Sequence, residues 1–167
     1  MPRSEKNIYY SVLYYQNSIL VESEKTPLAI VIISPIDKQI IVLGHNPDTS
    51  NFSEISANII HNSKKILNSE IPLAISKIKN HSKPERMFFN ELIKSNKWNL
   101  YFTNYFACKS NNINYAANIL FDKYVINKSD PYKNEDCILK SKNSTVSQDL
   151  TNNNTINDES YQISNSY

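Results

Sequence analysis

The pattern of apolar and polar residues predicts that the chain begins with strands. Residues 7–15, "NIYYSVLYY", alternate with a period of two, and their aromatic and β-branched side chains favour a strand. Two apolar runs follow at 27–34 and 39–44, and the short turn between them predicts a β-hairpin. Because these runs are apolar on both faces, they indicate either cover on both sides or a central place in the sheet.

Helical periodicity follows the hairpin. Asn51 and Glu54 have the spacing of a capping box, and apolar residues recur on one side until Pro72, which we expect to break the helix. A second capping box at 82–85 predicts another helix that reaches about residue 96. The middle of the chain is therefore predicted to be helical.

One more strand, one more helix and a tail complete the predicted order. Residues 97–107 alternate as a strand, and residues 113–126 carry an apolar stripe at helical spacing. The character then changes, and residues 128–167 are predicted to form a polar, disordered tail. The disorder is argued from residues 141–167, which are rich in Ser, Asn and Thr and bury too little apolar surface to offset chain entropy.

These elements predict an α+β fold. Strands grouped early with helices after them suggest an antiparallel sheet of about four strands, packed on one side by about three helices. The sequence predicts a single domain over residues 1–127, followed by the tail.

Composition removes several classes of site. The chain has one glycine, Gly44, so it contains no Rossmann glycine fingerprint, phosphate-binding loop or GxSxG nucleophile elbow. The formal net charge is +2, and a charge so near balance argues against general nucleic-acid binding, which needs a concentrated basic face.

The cysteines and the apolar runs indicate the cellular compartment of the protein. Cys108 and Cys137 form no CxxC pair, so we expect neither a disulfide scaffold nor a zinc knuckle, and a reducing cytosol fits best. The longest apolar run, 28–33, is too short to span a bilayer, and residues 1–7 do not have the pattern of a signal peptide. The sequence therefore predicts a cytoplasmic protein with no membrane partner.

No set of residues has the spacing of a catalytic or metal site. His45, His61 and His81 form no HxxxH or HExxH pair, so neither a metal nor a cofactor is expected. Glu54 and Glu85 are assigned to helix caps, and no carboxylate lies inside a predicted strand. We therefore assign no catalytic residue.

Tyrosine-rich strands indicate binding instead. Alternation places the tyrosines of residues 7–15 on two faces, so they do not form one stacking platform, and core packing is the more common role of such side chains. An exposed tyrosine face is equally typical of a protein interface. The candidate interaction residues are Tyr9, Tyr15, Tyr101 and Tyr105.

A second interpretation uses the basic residues of the predicted helices. It makes the chain a nucleic-acid-binding protein or a nuclease with a local basic patch, because phosphate contacts are made chiefly by lysine and arginine. The residues of that patch are Lys64, Lys65, Lys77, Lys79, Lys83 and Arg86.

Three segments resemble a bacterial family, domain of unknown function 3037. They are "YYSVLYY" at 9–15, "PLAIVIIS" at 27–34 and "ILFDKYV" at 119–125, and the resemblance covers residues 7 to 126. Genes of that family often lie beside HipA-like kinases. The resemblance therefore implies a small cytoplasmic partner protein, with a HipA-like kinase as its partner, in a toxin–antitoxin or defence setting, and it implies no catalytic residue.

The leading hypothesis from the sequence is a non-enzymatic protein-interaction module. It would act on a protein partner through the edge of its sheet or through its aromatic face.

Overall fold

A computed structural model describes residues 3–17, 25–97, 99–133, 137–141 and 160–167. These residues contain three α-helices and seven strands of one sheet. The helices are α1 (Glu54–Ile78), α2 (Pro84–Lys94) and α3 (Ile113–Phe121). The strands are β1 (Lys6–Gln16), β2 (Lys25–Ser34), β3 (Gln39–His45), β4 (Leu100–Phe102), β5 (Phe106–Ser110), β6 (Ile138–Leu139) and β7 (Ser160–Ser166).

The sheet is mostly antiparallel, which confirms the α+β class. Its order is β6-β5-β1-β2-β3-β7, with β4 also beside β1, and among the described strands only the pairing of β5 with β6 is parallel. The seven strands exceed the predicted four, because one predicted strand is divided and two more come from the predicted tail. The hairpin of β2 and β3 is confirmed, and in its turn the Ser34 hydroxyl donates to the Asp37 carboxylate at 2.8 Å.

Helices cover both faces of the sheet, so the prediction of one-sided packing is wrong. Leu13 and Tyr15 of β1 face the core made with α1 and α2. Tyr10 and Tyr14 face a second core, made with α3 and the π-helical turn Asp122–Ile126. The central strands are apolar on both faces, and burying both requires a helical layer on each side.

Helix α1 does not end at Pro72. It begins one residue after Ser53, whose hydroxyl caps it by accepting from the Ser56 N–H at 3.2 Å, so the predicted cap at Asn51 is wrong. Pro72 lies within the helix and is exposed, and its neighbours on the buried side, Ile71 and Ala74, hold the helix against the sheet. Tertiary packing therefore overrides the local cost of the proline.

The second predicted capping box is also wrong. Lys83 occupies the N-cap of α2 and makes no side-chain hydrogen bond there, while Pro84 takes the first helical turn. The fixed backbone angle of a proline suits that position without a cap. The predicted helix at 113–126 is confirmed as α3 and its π-helical continuation, capped by the Asn112 side chain.

The predicted strand at 97–107 is divided by a buried polar contact. Thr103 lies between β4 and β5 and bonds β1 through its side chain, since Val12 N–H donates to Thr103 Oγ1 at 3.1 Å. Ser11 Oγ donates to the Thr103 carbonyl at 2.8 Å. These side-chain bonds, together with the bond from the Thr103 N–H to the Val12 carbonyl at 3.0 Å, keep the polar groups paired although the strand is interrupted.

Two parts of the predicted tail belong to the sheet. Strand β6 pairs with β5, and β7 pairs with β3 along its whole length. The prediction of disorder is therefore wrong for residues 131–133, 138–139 and 160–166, while residues 134–136 and 142–159 lie outside the described residues.

Cys108 and Cys137 form a disulfide, which the sequence did not predict. The parallel pairing of β6 with β5 places the two residues side by side, with Cα atoms 4.8 Å apart. The Lys109 N–H also donates to the Cys137 carbonyl at 3.0 Å. Disulfides persist in oxidising surroundings, so this bond does not favour the reducing cytosol that the sequence suggested.

Among the described helices, none combines the length and the apolar character that crossing a membrane requires.

Candidate functional site

The outer side of β3 holds a strand from a distant part of the chain. Seven residue pairs join β3 to β7 in antiparallel register, from Gln39 with Ser166 to His45 with Ser160. Side chains alternate along β7, and Tyr161, Ile163 and Tyr167 pack against the core formed with α1 and α2. We call the side of β3 that β7 covers, residues 39–45, the β3 edge.

Tyr161 is seated on Gly44, the residue opposite it in the register. A Cβ atom built on Gly44 would lie 1.9 Å from Tyr161 Cζ, so the ring occupies the space that any other residue's side chain would need. Lys64 of α1 lies on the ring, with Nζ 4.8 Å from its centroid. Such a contact is attractive because the ring face is negative. Gly44 and Lys64 thus form a seat for one aromatic side chain.

Burial changes the chemistry of the two tyrosines at this edge. It raises the pKa of Tyr161 to about 12, an effect that the nearby Ser63 hydroxyl only partly offsets. Ser63 itself donates to the Ile60 carbonyl at 2.6 Å, and Tyr161 Oη has no hydrogen-bond partner among the described residues. The pKa of Tyr167 is also raised to about 12, by burial and by the charge of Glu85.

The four tyrosines proposed from the sequence do not share one surface. Tyr15 is 1% exposed and donates to Ser56 Oγ at 2.6 Å, so it is a core residue and its assignment to an interaction surface is wrong. Its aromatic ring and its bonded hydroxyl both stabilise the contact of β1 with α1. The first strand therefore contributes less exposed surface than the pattern suggested.

The other three tyrosines lie on opposite sides of the sheet. Tyr9 and Tyr105 are partly buried on the α2 side, where their rings meet edge to face with centroids 5.9 Å apart. Phe89 of α2 stacks on Tyr105 at 5.2 Å. Tyr101 lies on the α3 side and stacks on Tyr14 at 5.8 Å. These contacts are internal packing, and they leave no continuous aromatic platform.

The basic residues proposed from the sequence are also spread out. Lys64 and Lys65 lie in the middle of α1 and Lys77 in its last turn, a separation of about 20 Å at the rise of an α-helix. Lys79, Lys83 and Arg86 are exposed near the start of α2. Since Lys64 also covers Tyr161, the structure does not gather the six residues into one patch.

Groups that would bind a metal or catalyse a reaction are not brought together in the described residues. No group of three or more His, Cys, Asp or Glu side chains there is close enough to hold a metal ion. His61 Nε2 lies 3.3 Å from Thr49 Oγ1, and His81 Nδ1 accepts from the Lys83 N–H at 3.1 Å. His45 lines a cleft of about 810 Å³ where β7 begins, together with Lys25 and Lys128.

Sequence reasoning missed β7, although the pattern holds a signal for it. Residues 161–167 read Tyr-x-Ile-x-Asn-x-Tyr, which has the period of two that marks a strand with one buried face. The single glycine was a second signal, because a lone glycine inside a strand often marks the close approach of another group.

The described residues form an α+β protein in which β7, from a distant part of the chain, pairs with the outer side of β3. No family model matches it, and neither the curated proteins nor the solved structures contain a match. The resemblance to domain of unknown function 3037 therefore stays a prediction.

Proposed function

We propose that the chain is a non-enzymatic protein-interaction module that binds an extended segment of a partner protein at the β3 edge. The observation that carries this proposal is the pairing of β7 with β3, seven residues long and anchored by Tyr161 on Gly44. Addition of a strand to a sheet edge is a common form of peptide recognition: main-chain hydrogen bonds supply affinity, and pockets for alternate side chains supply specificity.

The composition of β3 supports a binding role. Residues 40–43 are apolar and buried, and β3 has no charged side chain. An edge of this kind pairs readily with another chain unless it is covered or carries charges. Here β7 covers it, and the outward side chains of β7 are small or polar, namely Gln162, Ser164 and Ser166.

A HipA-like kinase from the same organism is the first partner to test, because the resemblance of the sequence implies it. We would mix the purified kinase with the full chain and follow amide hydrogen exchange. In the proposed complex the kinase segment replaces β7, so the amides of residues 160–166 exchange faster while those of β3 stay protected. Binding that protects a different surface, or absence of binding together with turnover of a substrate, would reject the proposal.

Two matched variants sharpen the test. Tyr161→Ala empties the seat on Gly44 and weakens β7, so we expect it to bind the kinase more tightly than the wild type does. Gln162→Ala alters the exposed face of the same strand and is expected to leave affinity unchanged.

A salt series separates this proposal from the nucleic-acid interpretation. Phosphate contacts weaken steeply with salt, whereas a strand addition built on backbone pairing and apolar side chains does not. Filter binding of a mixed DNA and RNA pool that falls with salt, and is lost on substitution of Lys77, Lys79 and Lys83, would favour the second interpretation.

A further inference from the structure

We infer that the β3 edge is selective, and that it binds extended segments with the pattern aromatic-x-aliphatic-x-x-x-aromatic of residues 161–167. The chain's own β7 is the occupant seen in the structure, and it competes with any segment offered by a partner. This inference rests on the proposed function for its biological partner, and on the contacts of β7 for its chemistry.

The first position of the pattern is selected by Gly44 and Lys64. The ring of Tyr161 lies where a Cβ of residue 44 would be, and Lys64 Nζ lies over it at 4.8 Å. An aromatic ring fills this space and meets the cation, whereas a smaller side chain leaves a void and forfeits the contact. The seat therefore favours Tyr, Phe or Trp.

The other two positions face the same core. Ile163 and Tyr167 are partly buried against it, two and six residues beyond Tyr161. The N–H of Tyr167 donates to the Lys38 carbonyl at 3.1 Å, which extends the pairing one residue past β3. Burial raises the pKa of Tyr167 and the charge of Glu85 adds to the rise, so an acidic residue is disfavoured at this position.

Because β7 is part of the same chain, a partner segment needs a minimum affinity for β3 to displace it. A strand that belongs to the same chain as its binding site competes at an effective concentration on the order of 1 mM. If the joined strand and a free segment each bind with an intrinsic Kd of about 10 µM, the joined strand weakens the free one about 100-fold. Segments without the pattern would then fail to displace β7 at cellular concentrations.

The test uses a fluorescein-labelled peptide with the sequence of residues 160–167, added to the full chain and followed by anisotropy. We expect weak binding to the wild type and to Gln162→Ala. We expect binding at least about tenfold tighter to Tyr161→Ala, whose own strand competes less well. A peptide with Ala in place of Tyr161 is expected to bind none of the three. Equal affinity for all three proteins, or no saturable binding to a folded Tyr161→Ala, would overturn the inference.

A second measurement covers the case in which Tyr161→Ala does not fold. A recognition sequence for a site-specific protease is placed within residues 142–159 of the full wild-type chain, and the folded protein is cut there. The released strand is expected to stay bound and to exchange with the labelled peptide, but not with a peptide of scrambled order. Failure to exchange, or exchange with both peptides, would contradict the selective edge.

Failure of this inference is distinguishable from failure of the proposed function. Peptide exchange without any binding of the kinase supports the selective edge and rejects the kinase as partner. Kinase binding at β3 without selectivity among peptides supports the interaction module and rejects the pattern.

Discussion

The ring of Tyr161 lies directly against Gly44, in the space that a side chain at position 44 would fill. The two residues are partners in the register of β3 and β7, and Tyr161 is 9% exposed. The one glycine of the chain thus stands opposite the most buried residue of β7. Pairing of an aromatic ring with a cross-strand glycine is a known way to fix strand register.

Gly44→Ala is expected to release β7. The added methyl group would overlap the Tyr161 ring, with its Cβ 1.9 Å from Cζ, so the ring must leave its seat. Loss of one buried aromatic side chain costs about 2–3 kcal/mol. Hydrogen exchange of residues 160–166 should therefore become faster while β2 stays protected.

A double-mutant cycle with Tyr161→Ala checks the cause. Once the ring is removed, the methyl group has space. The double variant should therefore lose less stability than the sum of the two single losses, by more than about 0.5 kcal/mol. Additive effects would show that Gly44→Ala acts on β3 itself and not through Tyr161.

Tyr161→Phe is expected to be neutral or stabilising by up to about 1 kcal/mol, because it removes a buried hydroxyl that has no hydrogen-bond partner among the described residues. It also changes the response to pH. Burial holds the pKa of Tyr161 at about 12, above its ordinary value of 10.0, so its contribution to stability is full below pH 10 and is lost as the pH rises towards 12.

Near pH 11 the loss at Tyr161 amounts to about 1 kcal/mol in the wild type and should be absent from the Phe variant. Urea unfolding at pH 8 and pH 11 measures the difference. Tyr132→Phe, at an exposed ring, is the control and should follow the wild type. Identical pH dependence in all three proteins would show that Tyr161 does not ionise with unfolding.

Pro72→Ala is expected to stabilise the fold. Pro72 lies in the interior of α1 and has no N–H to donate to the carbonyl of Asn68, and it is exposed, so alanine restores the bond without disturbing the core. The gain should be about 1–3 kcal/mol, measured as a higher midpoint of thermal unfolding. Leu73→Ala, at the next exposed position, is the control for loss of surface side chains. A lower midpoint for Pro72→Ala would contradict the described helix.

Reduction of the Cys108–Cys137 disulfide is expected to lower stability by about 3–4 kcal/mol, the loop-closure value for a separation of 29 residues. Thermal unfolding with and without dithiothreitol measures this, and mass spectrometry after alkylation verifies the bond. Cys137→Ser should behave like the reduced wild type and should not respond to the reductant. Free thiols in the untreated protein would show that the bond does not form in solution.

The central strands and the helices were predictable because each carries a long periodic pattern. Ile30 and Ile32 face one core and Val31 and Ile33 the other, and a run that is apolar at every position left no other interpretation than a buried strand. The class of fold follows from the order of these patterns.

What was missed depends on contacts between distant residues. Pro72 interrupts the local pattern, and only the packing of its neighbours on the sheet shows that α1 continues. Thr103 divides a strand through bonds to Ser11 and Val12, about 90 residues earlier. Neither the continuation of α1 past Pro72 nor the division of the strand at Thr103 can be read from local secondary-structure propensity.

The candidate site was the least predictable part for the same reason. Residues 160–166 are too polar to form a strand alone, and they become one because β3 supplies both an unpaired edge and the seat on Gly44. The predicted tyrosines failed as a surface because a strand pattern shows which residues share a face, but not which face a helix will cover.

Cover by β7 has a consequence for the behaviour of the chain before it is fully folded. Residues 39–44, "QIIVLG", have no charge and no proline and are apolar from residue 40 to 43, which is the composition of segments that stack into cross-β fibrils. Strand β7 closes that segment and presents serine and glutamine outwards instead. A nascent chain that has not yet reached residue 160, or one cut between β6 and β7, therefore exposes a self-associating edge, and β7 protects that edge against aggregation.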